Sequence, residues 1–107
     1  MTNELRITTR PRPGGGPVLA VAGEIDISNA DGLRAVLDGC LAEAEHVTVD
    51  LTEVGYLDSA GLAVLFPHVR RLELIAPRLL SSVLTVSGLA ELASSCIVEG
   101  EEPLKPD

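Results

Sequence analysis

Apolar and polar positions follow two rhythms along this chain, and the switches between them mark its elements. From Glu4 to Thr9, Leu5, Ile7 and Thr9 alternate with Glu4, Arg6 and Thr8, the period of a half-buried strand. The run Pro11 to Pro17, with Gly14-Gly15-Gly16, can only be a loop. Val18 to Ala22 returns as a second strand, closed by Gly23-Glu24-Ile25-Asp26, so the two strands predict an antiparallel hairpin with a loose connection. Ser28 then reads as an N-cap, with Asp31 in the first turn, where the helix dipole favours an acid. Ala30, Leu33, Val36, Leu37, Cys40, Leu41 and Ala44 recur at helical spacing and make one apolar face.

The second half repeats the alternation. Val47 to Leu51 is a short apolar strand ending at a turn, Thr52 to Gly55, after which Tyr56 and Leu57 lead into Asp58-Ser59. Ala60 to Val69 is apolar nearly all round, as expected of a helix packed on a sheet. Pro67 should kink or end that helix near Phe66 to Val69, because an interior proline removes a hydrogen bond and costs about 3 kcal/mol. Leu72, Leu74 and Ala76 alternate into a fourth strand before Pro77. Arg78 to Ser87 predicts a third helix, with Leu80, Val83, Leu84 and Ser87 on one side and Gly88 at a left-handed C-cap position. Cys96 to Val98 adds a short edge strand. The expected fold is therefore a single α/β domain over residues 1–98, a mixed four- to five-stranded sheet with helices packed on it. An acidic tail, Glu99 to Asp107, reads as disordered.

Composition narrows the function. The 107 residues contain one Tyr, one Phe and no Trp, so the core must be aliphatic. Sixteen acidic against eight basic residues give a net charge of −8. That balance argues against nucleic acid, whose phosphates need Lys and Arg, and so few aromatics argue against base stacking. No stretch approaches the roughly 20 apolar residues of a membrane span. Met1-Thr2-Asn3-Glu4 lacks the basic and apolar regions of a secretion signal, which makes the cytoplasm the default location. Cys40 and Cys96 sit far apart within apolar runs and read as buried free thiols. His46 and His68 have no ligand-spaced companion, and no phosphate-binding lysine motif is present, so no metal or cofactor is expected.

Candidate chemistry concentrates in the pentad Asp58-Ser59-Ala60-Gly61-Leu62. It places one hydroxyl at a predicted helix start, where free backbone N–H groups can receive an anion. Such a serine can be a helix cap, a nucleophile or a phosphate acceptor. Functional groups gather at the carboxyl ends of strands in open sheets, so Asp26 and Asp58-Ser59 should share one edge. A nucleophile needs a base, yet His46 precedes the third strand and His68 lies about two and a half turns down the second helix. A Gly-x-Ser-x-Gly elbow is absent as well, so the residues do not read as an enzyme.

The chain resembles the STAS domains of the small bacterial anti-sigma factor antagonists over roughly residues 4–98. The likeness rests on Gly23-Glu24-Ile25-Asp26, Val49-Asp50-Leu51, the Asp58 to Leu62 pentad, and Leu84-Thr85-Val86-Ser87-Gly88-Leu89. It implies a partner-switching protein whose unmodified form binds an anti-sigma factor that is also a serine kinase, freeing a sigma factor. The kinase would phosphorylate Ser59 and a phosphatase would reverse the mark, with Asp26, Asp58, Ser59, Ala60, Gly61 and Leu62 forming the partner-binding surface. Ala60 stands where relatives often carry a second hydroxyl, leaving Ser59 as the acceptor in the motif. The rival expectation is a passive STAS interaction module that does not switch. One departure is clear: only His68-Val69-Arg70-Arg71 separates Pro67 from Leu72, where the relatives' second helix continues for about two more turns.

Overall fold

A computed structural model describes residues 4–99. Five strands form one sheet in the order β1 (Leu5–Arg10), β2 (Val18–Ile25), β3 (Val47–Leu57), β4 (Leu72–Pro77) and β5 (Ser95–Glu99). β1 is antiparallel to β2, and every later neighbour is parallel. The connections are α1 (Ala30–Glu43), then α2 (Ser59–Leu65) with a 3-10 segment Phe66–Arg71, then a 3-10 turn Arg78–Leu80 with α3 (Ser81–Val86) and α4 (Leu89–Leu92). Because the strand order advances monotonically, crossovers of one hand all fall on the same side. Helices therefore cover one face of the sheet. The expected mixed α/β domain is the fold observed.

The core lies between that face and the helices. Leu19, Val21, Val49 and Leu74 from the strands meet Leu33, Leu37, Val64 and Leu84 from the helices, all fully or nearly fully buried. It is aliphatic, as the composition required: Phe66 only packs against its margin and Tyr56 is exposed.

β3 is longer than its pattern suggested. The predicted turn at Thr52 to Gly55 is strand, because two register shifts against β2 change the period of burial. Ala20 faces Asp50 while Ala22 faces Glu53, and Gly23 faces Val54 while Glu24 faces Tyr56. Each shift adds one residue to β3, so Leu51, Val54 and Leu57 are buried at intervals of three rather than two. Asp50 stabilises the first bulge, its carboxylate accepting from the Thr52 N–H and hydroxyl at 3.0 and 2.7 Å. β2 runs on to Ile25 for a related reason: Gly23 takes φ +117°, and a side chain there would collide with the Glu4 carbonyl.

Other boundaries moved less. The N-cap position of α1 is Asn29 rather than Ser28, whose N–H and hydroxyl both donate to Asp26. α2 ends at Leu65 and tightens into the 3-10 segment at Pro67, as its missing N–H demands. The third helix is broken into a 3-10 turn and α3, Gly88 takes the expected left-handed φ of +85°, and α4 follows unforeseen. Cys40 and Cys96 are free as expected but only half-buried, and burial pushes both thiols up from their ordinary range, which keeps them protonated. Glu99, assigned to the tail, ends β5; residues 100–107 lie outside the described residues.

The short link from α2 to β4 is fastened to α1. Arg71 donates to the Leu41, Ala44 and Glu45 carbonyls at 2.7, 2.8 and 2.9 Å, supplying both hydrogen bonds and a positive charge at a helix C-terminus. His68 lies 3.3 Å from Asp38 on the same helix. We expect Arg71→Ala to cost about 1–2 kcal/mol in urea denaturation, since three carbonyls lose a charged donor. Gly61→Ala should cost about the same, because a Cβ there would come within 2.7 Å of Ile25 Cγ2. The gain in helix propensity, about 1 kcal/mol, is too small to offset that clash against a buried, β-branched neighbour.

Candidate functional site

The carboxyl ends of β2 and β3 lie side by side, with Ile25 opposite Leu57. The Asp58 N–H donates to the Ile25 carbonyl at 3.3 Å, so the chain leaves both strands at a fixed separation. Asp58 is then the N-cap of α2: its Oδ1 accepts from the Ala60 N–H at 2.9 Å and, more weakly, from Gly61 at 3.4 Å. Ser59, one residue on, is the first helical residue. Its side chain is exposed, and among the described residues its hydroxyl has no hydrogen-bond partner. Of the three readings of this serine, the cap belongs to its neighbour.

Gly61 explains how the helix can start so close to the sheet. It is buried, and any Cβ would meet Leu57 and Ile25. Ala60 and Leu62 are half-buried and pack against the core. Gly61 therefore sets the height of the first turn, while Ser59 faces solvent.

Asp26 lies on the same edge, one residue past Ile25. Its carboxylate holds Ser28, its N–H donates to Asn29 Oδ1 at 3.0 Å, and its carbonyl accepts from the Asn29 and Ala30 N–H groups at 3.2 and 2.9 Å. This closed turn projects Ile27, which is 84% exposed. Tyr56, 48% exposed, sits one residue before Leu57 on the helix-free face, opposite Glu24. Leu79, also exposed, lies in the 3-10 turn that packs against β3. Sequence reading did not select these three apolar side chains. Ile27 falls outside any periodic run, and Tyr56 reaches its face only through the bulges in β3.

The surroundings are acidic, with Glu24, Asp26, Asp31 and Asp58 near the two strand ends and Arg34 paired to Asp31 at 2.7 Å. Neither imidazole serves Ser59. His46 precedes β3, whose eleven residues at about 3.3 Å each put it about 30 Å away, and His68 is turned to Asp38. Among the described residues no group of His, Cys, Asp and Glu could hold a metal ion, and no helix is long and apolar enough to cross a membrane.

Comparison with known proteins agrees with the fold. An anti-sigma factor antagonist from Mycobacterium paratuberculosis superposes with a TM-score of 0.78 at 20% identity, covering 88% of this chain and 86% of that one. The anti-sigma factor antagonist SpoIIAA in its unphosphorylated form gives 0.69 at 16%, covering 90% of each chain. A STAS domain antisigma-factor antagonist from Rhodobacter sphaeroides gives 0.52 at 16%, covering 65% of this chain and 82% of that one. A search of curated proteins returned no match. The family model described as "Mlab, STAS domain" matches residues 8–99, from the middle of β1 to the end of β5. The chain belongs to the STAS domain family.

Proposed function

We propose that this protein is an anti-sigma factor antagonist that works by partner switching. Its unmodified form binds an anti-sigma factor serine kinase, phosphorylation of Ser59 breaks the complex, and a phosphatase restores it; this is cytoplasmic, transcription-regulating chemistry. The observation that carries the reading is an exposed serine, free of capping duty, at the strand-end edge from which the exposed Ile27 also projects. The structural neighbours that are anti-sigma factor antagonists support the same role.

The switch follows from charge. A phosphate adds about −1.5 to −2 charges and three acceptor oxygens. At an unoccupied helix start those oxygens would gain about 0.3–1 kcal/mol. Here Asp58 already holds the Ala60 and Gly61 N–H groups, so the dianion meets a carboxylate instead of free donors. Its site is exposed, so the fold tolerates it. A partner seated over Ile27 and Tyr56 must instead desolvate it, at several kcal/mol. Each 1.4 kcal/mol is tenfold in affinity, so interface loss dominates. Asp26, Asp58, Ala60 and Leu62 act at the margin of that contact, and Gly61 through the helix position. The 3-10 segment that replaces a longer second helix changes the neighbouring surface and selects a partner shaped to it.

Incubation with a cognate kinase and ATP, followed by mass spectrometry, should place phosphate on Ser59. Ser59→Ala should stay folded, resist phosphorylation and bind the kinase constitutively. Ser59→Asp should stay folded and bind at least tenfold more weakly; equal binding by both variants would leave a passive module. Ile27→Glu should weaken binding of the unmodified protein by a comparable factor, measured by calorimetry, without changing its melting temperature.

A further inference from the structure

The helix-free face of the sheet holds two residues buried for no reason that the helices supply. Cross-strand register aligns Arg10, Val18, Thr48, Glu73 and Ser95 in one row on that face. Val18 is 4% exposed and Thr48 1%. Arg12, in the β1–β2 loop, reaches past β2 and β3 to Glu73 on β4, where Nη2 lies 3.2 Å from Oε2. Val18 and Thr48 lie between these two anchors. Beneath the crossing, the Thr48 hydroxyl has no hydrogen-bond partner among the described residues.

We propose that residues 11–17 form a strap, fastened by the Arg12–Glu73 pair, that opens and closes over Val18 and Thr48 while the domain stays folded. The fastening is weak: both side chains are about one-third exposed, at 38% and 32%. Such a pair shifts a closed-to-open ratio by a factor of about two to five. An orphaned buried hydroxyl opposes closure by roughly tenfold or more, since opening returns it to water. Burial of Val18 favours closure. Elsewhere the loop is held by the Gly15 N–H donating to the Arg12 carbonyl at 3.2 Å and by Gly16 packing on the His46 carbonyl, with grooves of about 400 and 490 Å³ alongside it. Gly14, at φ +74° with nothing near its Cβ position, leaves it free to hinge. When open, the strap adds Val18 and Thr48 to a face that already carries Ile75 and the exposed Ile97, at the end of the sheet remote from Ser59.

Amide hydrogen exchange on the full chain tests this at position 48, whose N–H donates to the Pro17 carbonyl at 3.0 Å. Arg12→Gln and Glu73→Gln should each speed that exchange about two- to fivefold, with the double variant no faster than either. Exchange at Leu37, inside α1, should not change. Thr48→Val should slow exchange at position 48 about tenfold, because a methyl needs no partner under the strap. Three results would overturn the proposal: Arg12→Gln without effect at position 48, Leu37 changing in step with it, or Thr48→Val accelerating exchange.

Discussion

The first turn of α2 rests directly on Ile25 and Leu57, and a hydrogen atom at Gly61 is all that fits between them. That contact fixes where the helix begins, and the rest of the site follows from it. Asp58, tied to the Ile25 carbonyl, is left in position to cap the helix, and the next side chain has nowhere to go but outward. Exposure of Ser59 is thus a consequence of packing beneath it. A larger residue at position 61 would lift the turn and release the cap together.

A second constraint is the single layer of helices. A sheet that adds strands in one direction places its connections on one side, so one face is core and the other must be managed without helices. This chain manages it with charged and small side chains on β1 and β2, and with Arg12 drawn across from the loop. The bulges in β3 belong to the same problem. They keep Leu51, Val54 and Leu57 on the core side while carrying the strand seven residues beyond its pairing with β4, far enough to deliver Asp58 and Ser59 past the sheet. Arg71 closes the other end by satisfying the carbonyls where α1 stops, so the short 3-10 segment after α2 is fastened to that helix end.

Much of this was legible along the chain. Periodicity located β1, β4 and the apolar face of α1 to within a residue or two, since each obeys one rhythm from end to end. Pro67 marked the end of α2 because a missing N–H acts locally, and Gly88 marked a left-handed turn for an equally local reason. The site was legible in outline too: Asp26 and Ser59 do share an edge, because parallel neighbours end on the same side. The second half of β3 was not legible. Its polar residues read as a turn, and only pairing with β2 shows that Thr52 and Gly55 are inserted residues in a continuing strand.

What the sequence determined by itself was the set of elements, the aliphatic core and the serine at a helix start, all of which depend on interactions within a few residues. Tertiary structure alone decided which side chain caps that helix, which apolar groups are left exposed and which loop residue reaches across the sheet to β4. Those outcomes depend on register between β2 and β3 and on a loop reaching Glu73, contacts between residues as many as 61 positions apart, which no local pattern encodes.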